Sequence, residues 1–133
     1  MLGDLGQMGI PYQSTVLIGM QPYVEANPDT TKRFLRAMLE GIKVYMTDDE
    51  ASRAALAKYT RTEETDLLDE TIAYYRGVTQ RRPYPTLEGL QTLIDDLATT
   101  EPRARNVQPA QLVNTRPLEE IEREGFFRHL YGE

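Results

Sequence analysis

The sequence predicts a mainly α-helical chain, with about five helices and one short N-terminal β-strand. Three observations carry this reading. Helix-start signals recur from Pro22 onward, and the apolar residues behind them return at three- and four-residue steps. Only one run, Ser14-Thr15-Val16-Leu17-Ile18-Gly19-Met20, has the β-branched continuity of a buried strand. An uninterrupted apolar run suits a strand covered on both faces of a parallel or mixed sheet, so this one needs neighbours to pair with. A single domain over 1–133 is expected, with 1–21 a strand and hinge-like segment and 22–133 a helical region.

Each helix has its own signals. Asn27-Pro28-Asp29 supplies a cap residue, a proline at the first helical position and an acid in the first turn. Behind it Phe34, Leu35, Met38, Leu39, Ile42, Tyr45 and Met46 form an apolar stripe, with Lys32, Arg33, Arg36, Glu40 and Lys43 on the other side. Thr47 and Glu50 have capping-box spacing for a second helix running to about Tyr59. Thr62 is placed to cap a third, with Leu67, Leu68, Ile72, Tyr75 and Val78 facing the core and Gly77 and Arg81-Arg82-Pro83 ending it.

Pro83-Tyr84-Pro85 must be extended, because a proline disfavours helix in the residue before it. Thr86 then opens a fourth helix with Leu87, Leu90, Leu93, Ile94 and Leu97 on one face. Glu101 to Pro109 has no apolar periodicity and reads as a loop, with a short helical turn from Pro109 to Val113. A last helix is expected from about Pro117 to Glu124, stopped by Gly125, after which Phe126, Phe127, Leu130 and Tyr131 are too apolar for a free tail and should dock on the core.

Composition excludes several functional classes. The 133 residues hold no cysteine, which removes disulfides, thiolate metal sites and cysteine nucleophiles together. With a single histidine, His129, a Ser-His-Asp or multi-histidine metal site built within this chain is nearly excluded. A net charge of −6 opposes nucleic-acid binding, which depends on clustered cations releasing counterions. The acidic pairs and triplets, such as Asp48-Asp49-Glu50 and Asp95-Asp96, lack the alternating oxygen ligands and glycine of a calcium loop and read as helix first turns and solvated faces. No metal site, cofactor or catalytic residue is assigned.

Several segments, in this order, resemble the C-terminal half of substrate-binding proteins of ABC importers of the nitrate, sulfonate and thiamine-precursor type. They are Gly9-Ile10-Pro11-Tyr12-Gln13-Ser14-Thr15-Val16-Leu17-Ile18, Glu25-Ala26-Asn27-Pro28-Asp29 through Ala37, Lys58-Tyr59-Thr60, Arg82-Pro83-Tyr84-Pro85-Thr86-Leu87-Glu88-Gly89-Leu90-Gln91, and Gly125-Phe126-Phe127 with Leu130-Tyr131-Gly132. The resemblance spans nearly the whole chain, and it rests on the order and spacing of motifs that are each common alone.

It implies the C-terminal part of an α/β two-lobe periplasmic-binding-protein fold of type II, in a longer protein. The first lobe's opening and nearly all of the second lobe would then lie outside this sequence. It also implies a solute-binding component, not an enzyme, that closes on a small molecule and delivers it to a membrane permease. The intact protein would be periplasmic or extracytoplasmic; the start Met1-Leu2-Gly3-Asp4 carries no signal peptide, which a missing front would explain.

The positions matching the family's crossing strand, Tyr12, Gln13, Ser14 and Thr15, are the candidate ligand-binding residues. An aromatic face beside amide and hydroxyl groups suits a small polar ligand, against the simpler reading that Tyr12 packs and the other three enter a strand. Two alternatives stand beside this one: a thiamine-pyrimidine synthase-like enzyme of the same fold, and a stand-alone helical interaction protein. An unpaired Ser14–Met20 strand would also favour a homodimer through that edge.

Overall fold

The computed structural model describes residues 9–132. Among them are eight α-helices and no β-strand: α1 Gln21–Ala26, α2 Pro28–Thr47, α3 Asp49–Thr60, α4 Thr65–Val78, α5 Leu87–Leu97, α6 Pro109–Leu112, α7 Arg116–Arg123 and α8 Phe126–Tyr131, with a 3-10 turn at Pro102–Asn106. The mainly helical expectation holds; beyond the expected five are α6, which is the expected short turn from Pro109, and the short α1 and α8. The predicted strand does not form: Ser14–Met20 runs without secondary structure, with Ile18 91% and Met20 76% exposed. A strand is stabilised by its ladder, and no described segment offers this run an edge to pair with.

The chain divides into two compact units, one through Glu25 together with Tyr84–Arg116, the other Ala26–Pro83 together with the segment from Pro117 on. In the second unit α2 packs on α3 and α8, and α3 on α4. Its core holds Leu39, Ile121 and Phe127, essentially sealed from solvent, with Leu68, Ile72, Leu118 and Leu130.

Helix α2 starts as expected, with Pro28 in its first turn; the Asn27 carbonyl accepts from both the Thr31 amide and the Thr31 hydroxyl, each at 3.0 Å. Its inward stripe is narrower than predicted. Leu39 is 0% exposed and Leu35, Met38, Ile42, Tyr45 and Met46 are partly covered, but Phe34 is 59% exposed and belongs outside the core.

The α2–α3 junction shifts by one residue from the predicted capping box. Thr47 is the last residue of α2, its hydroxyl donating to the Lys43 carbonyl at 2.8 Å, and Asp48 is the cap, accepting from the Ala51 amide at 2.9 Å. A carboxylate at the positive end of a helix is favoured by charge as well as by the hydrogen bond. Helix α4 begins at Thr65, not at Thr62, whose hydroxyl instead accepts from the Glu64 amide at 3.3 Å. It continues through Gly77 to Val78. Only Leu68 and Ile72 of its predicted face are buried; Leu67, Tyr75 and Val78 are about half exposed, since a helix buries an i, i+4 row fully and flanking positions only at the margin.

Gly125 ends α7 at φ +80°, a conformation that costs glycine nothing, and α8 then turns Phe127 and Leu130 inward. The apolar C-terminal segment therefore docks, as a helix. An ion-pair seam ties this end to α2. Lys32 Nζ lies 3.2 Å from Glu124 and 3.5 Å from Glu120, and Arg36 also pairs with Glu124 while its guanidinium sits 5.6 Å from the centre of the Phe126 ring.

In the first unit α5 packs on the 3-10 turn and on α6, burying Gly89, Ile94 and Ala104. Pro83-Tyr84-Pro85 lies outside any helix, as expected, and Thr86 caps α5, accepting from the Gly89 amide at 3.2 Å. The predicted loop from Glu101 contains the 3-10 turn, capped by Glu101 through the Arg103 amide at 3.2 Å.

Two predictions follow from the second unit's packing. Leu39→Ala is expected to destabilise it by about 2–5 kcal/mol, the range for truncation at a sealed core site, and Phe34→Ala by less than half of that. Denaturant midpoints of the two variants check the ranking; equal shifts would place Phe34 in the core after all.

The seam makes stability depend on pH at both ends. The hydrogen bond from Lys32 holds the Glu124 carboxyl below its ordinary range, and the same bond raises the Lys32 ammonium above its own, against the opposing effect of burial. A lowered carboxyl contributes stability above its unfolded pKa and loses it as pH falls through the folded value. A raised ammonium contributes below its unfolded pKa and loses it as pH rises through the folded value. Glu124→Gln should therefore lower the melting temperature between the ordinary glutamate and lysine values, with the difference from the parent shrinking in acid. A difference that stays constant into acid would show that the seam is not electrostatic.

Candidate functional site

The sequence-predicted ligand residues lie in a row on the extended arm that precedes α1, against the amino end of α5. The seat is built from three groups of α5's first turn. Thr86, the cap, turns its own amide outward, where it donates to the Gln13 side-chain oxygen at 3.1 Å. The Gln13 backbone amide donates to the Gly89 carbonyl at 3.4 Å, and the other end of its side-chain amide donates to the Thr15 carbonyl at 3.1 Å. One glutamine thus bridges the cap, the helix and its own strand of chain.

Gly89 allows the approach. A Cβ there would stand 2.9 Å from the Gln13 nitrogen, 3.2 Å from the Tyr12 carbonyl carbon and 2.7 Å from the Thr86 hydroxyl oxygen, all inside contact distance. Two of those neighbours are backbone and have nowhere to swing.

This geometry separates the four candidates. Gln13 is half-buried, and its side-chain oxygen and nitrogen are both engaged within the chain, so it has little left for a ligand. Tyr12 is 55% exposed, and Ser14 and Thr15 are exposed. The Ser14 and Thr15 hydroxyls make no hydrogen bond with the described residues. Tyr12, Ser14 and Thr15 therefore present an aromatic ring and two hydroxyls outward from a fixed base. Sequence reasoning marked the row but missed Thr86 and Gly89 as its seat. The cap signal of Thr86 was legible; a glycine inside a helix's first turn signals close backbone approach only in hindsight.

Other concavities are chemically poorer. A surface depression of about 440 Å³ in the second unit is lined by Lys43, Thr47, Arg81, His129 and Tyr131 among others, and one of about 260 Å³ by Arg82, Glu122, Gly125, Phe127 and Arg128. In the second, Arg82 and Glu122 already neutralise each other at 3.0 Å. The first sits at the carboxyl ends of α2 and α8, where cations complement the negative helix ends and need no bound anion. His129 is exposed and stacks loosely beside Phe126, with ring centres 6.4 Å apart. Among the described residues no group of three or more histidine or acidic side chains is arranged to hold a metal ion, and no helix is long and apolar enough to cross a membrane.

Comparison with protein-family models, with curated proteins and with solved structures returned no match.

Proposed function

We propose that the chain is the C-terminal portion of a solute-binding protein of an ABC importer of the nitrate, sulfonate and thiamine-precursor type, and that the row Tyr12, Ser14 and Thr15 forms part of one wall of its ligand cleft. The observation that carries the reading is the seated arm: a non-helical segment with an exposed aromatic and two exposed hydroxyls, held on the capped start of a helix by the backbone amide and the side-chain oxygen of Gln13. Supporting it are the ordered sequence landmarks, which coincide with helix boundaries: Pro28 in the first turn of α2, Thr86 at the cap of α5 and Gly125 at the stop of α7.

In this reading the intact protein is a two-lobe α/β type II binding protein. It works outside the cytoplasmic membrane, closes on a small polar solute and passes it to a permease. Closure is driven by the ligand's greater affinity for the closed form, and no covalent step is involved. A cleft ligand is covered on most of its surface by two opposed walls, so one wall in isolation leaves it wet.

The chain alone is accordingly expected to show no saturable heat when titrated with an aliphatic sulfonate, nitrate or an aminopyrimidine, whereas the intact protein saturates with one of these classes at one site. A flat titration of the intact protein with all three would sink the proposal. Micromolar binding by the isolated chain would show instead that this chain is a complete binding unit.

A further inference from the structure

We infer that Gln13 is a positioning residue and not a ligand contact: it clasps the arm to the start of α5, and this clasp sets the orientation of Tyr12, Ser14 and Thr15. The inference deepens the solute-binding reading and rests on it for the ligand, but the clasp itself is testable without one.

Few other backbone hydrogen bonds hold the arm. From Ser14 to Gly19 no backbone amide donates to any described residue, and Val16, Leu17 and Ile18 are exposed. The nearest anchor on the other side is the Met20 carbonyl, which accepts from the Tyr23 and Val24 amides at 2.9 and 3.0 Å and so belongs to the start of α1. Between these points backbone hydrogen bonds do not order the chain, and a segment ordered only on binding would spend binding free energy on it.

Gln13 removes that freedom at the site that matters. Its side-chain oxygen fixes it to the Thr86 amide, its backbone amide to the Gly89 carbonyl, and its side-chain nitrogen to the Thr15 carbonyl two residues on. The last bond also bends the chain locally, so Ser14 is held between two pinned neighbours. Gly89 is the complementary half, because any side chain there would drive the arm off the helix.

The acceptor at Thr86 lies at the amino end of α5, where the helix dipole favours negative charge. Gln13→Glu therefore keeps the acceptor and improves its charge, while giving up the donation to Thr15 and turning a second carboxylate oxygen toward that carbonyl. Gln13→Ala removes both bonds. This pair separates a clasp from a general loss of structure.

The test uses amide hydrogen exchange by NMR on the full 133-residue chain, read as protection factors. Gln13→Ala and Gly89→Ala should lower protection of the Thr86 amide by roughly three- to tenfold, the size expected for losing one net hydrogen bond, with the amide of Leu39 in the second unit unchanged as a control for folding. In Gln13→Glu, Thr86 protection should persist at neutral pH, where the carboxylate still accepts from the amide, and in acid, where the neutral carboxyl keeps an accepting oxygen and regains a donor toward the Thr15 carbonyl. Unchanged Thr86 protection in Gln13→Ala, or a loss in Gln13→Glu as large as in Gln13→Ala, would overturn the clasp.

In the intact protein, titration with whichever of sulfonate, nitrate or aminopyrimidine it binds should be weakened by Gln13→Ala and spared by Gln13→Glu. Equal weakening by both would make Gln13 a direct contact and end the positioning role. If the intact protein binds none of them, the solute-binding reading fails, while loss of Thr86 protection in Gln13→Ala still upholds the clasp.

Discussion

The second unit depends on how the carboxyl end of α2 is closed. The last carbonyls of any helix lack partners within it, and here the Tyr45 carbonyl accepts from Arg76 Nε of α4 at 2.7 Å, with the Ser52 hydroxyl of α3, shared with the nearer Asp48 carbonyl at 2.5 Å, standing 3.1 Å away. The same guanidinium pairs with Asp49 and lies 5.7 Å from the centre of the Tyr45 ring, and the Tyr45 hydroxyl returns a bond to the Ile72 carbonyl at 3.2 Å. Three helices are therefore joined at one corner by one arginine. Burial raises the Tyr45 phenol above its ordinary range despite the opposing pull of Arg76, which keeps it protonated as a donor. A lysine could not replace Arg76 here, since a point charge cannot serve a carbonyl, a carboxylate and a ring face from one plane. The Asp49 contact is largely solvated and adds little; the carbonyl bond carries the corner.

With that corner set, α2 can use its polar side for packing as well as for solvation. Lys32 and Arg36 would sit outside on a strict apolar count, yet both are partly covered, their stems lying along the protein while their heads meet Glu120 and Glu124. Arg82 repeats the device, pairing with Glu122 while its guanidinium sits 5.4 Å from the centre of the sealed Phe127 ring. Cations at these places serve two needs together, covering apolar surface and neutralising the acidic side of α7.

Local chemistry made much of this legible. Caps and breakers act within a few residues, so Pro28, Thr86 and Gly125 mark boundaries that the helices respect, and Leu39, Leu68, Ile72 and Ile94 were recovered from their spacing. Phe34, Leu67, Tyr75, Val78, Leu87 and Leu97 were misplaced because spacing defines a face only to within about one position, and neighbouring helices decide where that face is cut off. Asp48 displaced Thr47 as a cap because two good cap residues stood side by side, and only the end of α2 chose between them. At the candidate site the row was legible and its seat was not. The Gln13, Thr86 and Gly89 contacts join residues more than seventy positions apart, and no local rule reaches that far.

The failed strand has the same physical root, and it bears on the arm's role. Val16, Leu17 and Ile18 favour extended backbone because branched and bulky side chains fit a pleated surface, but that preference is small beside the hydrogen bonds of a ladder. Without a partner edge the segment keeps its apolar character and loses the structure that would justify it. Exposed apolar chain with unpaired amides is an unfavourable surface to leave in water, and proteins cover such edges by pairing or shielding them. A clasp at Gln13 then anchors the start of the arm on α5 through the chain's own groups, while the run from Val16 to Gly19 stays exposed with no ladder to satisfy its amides.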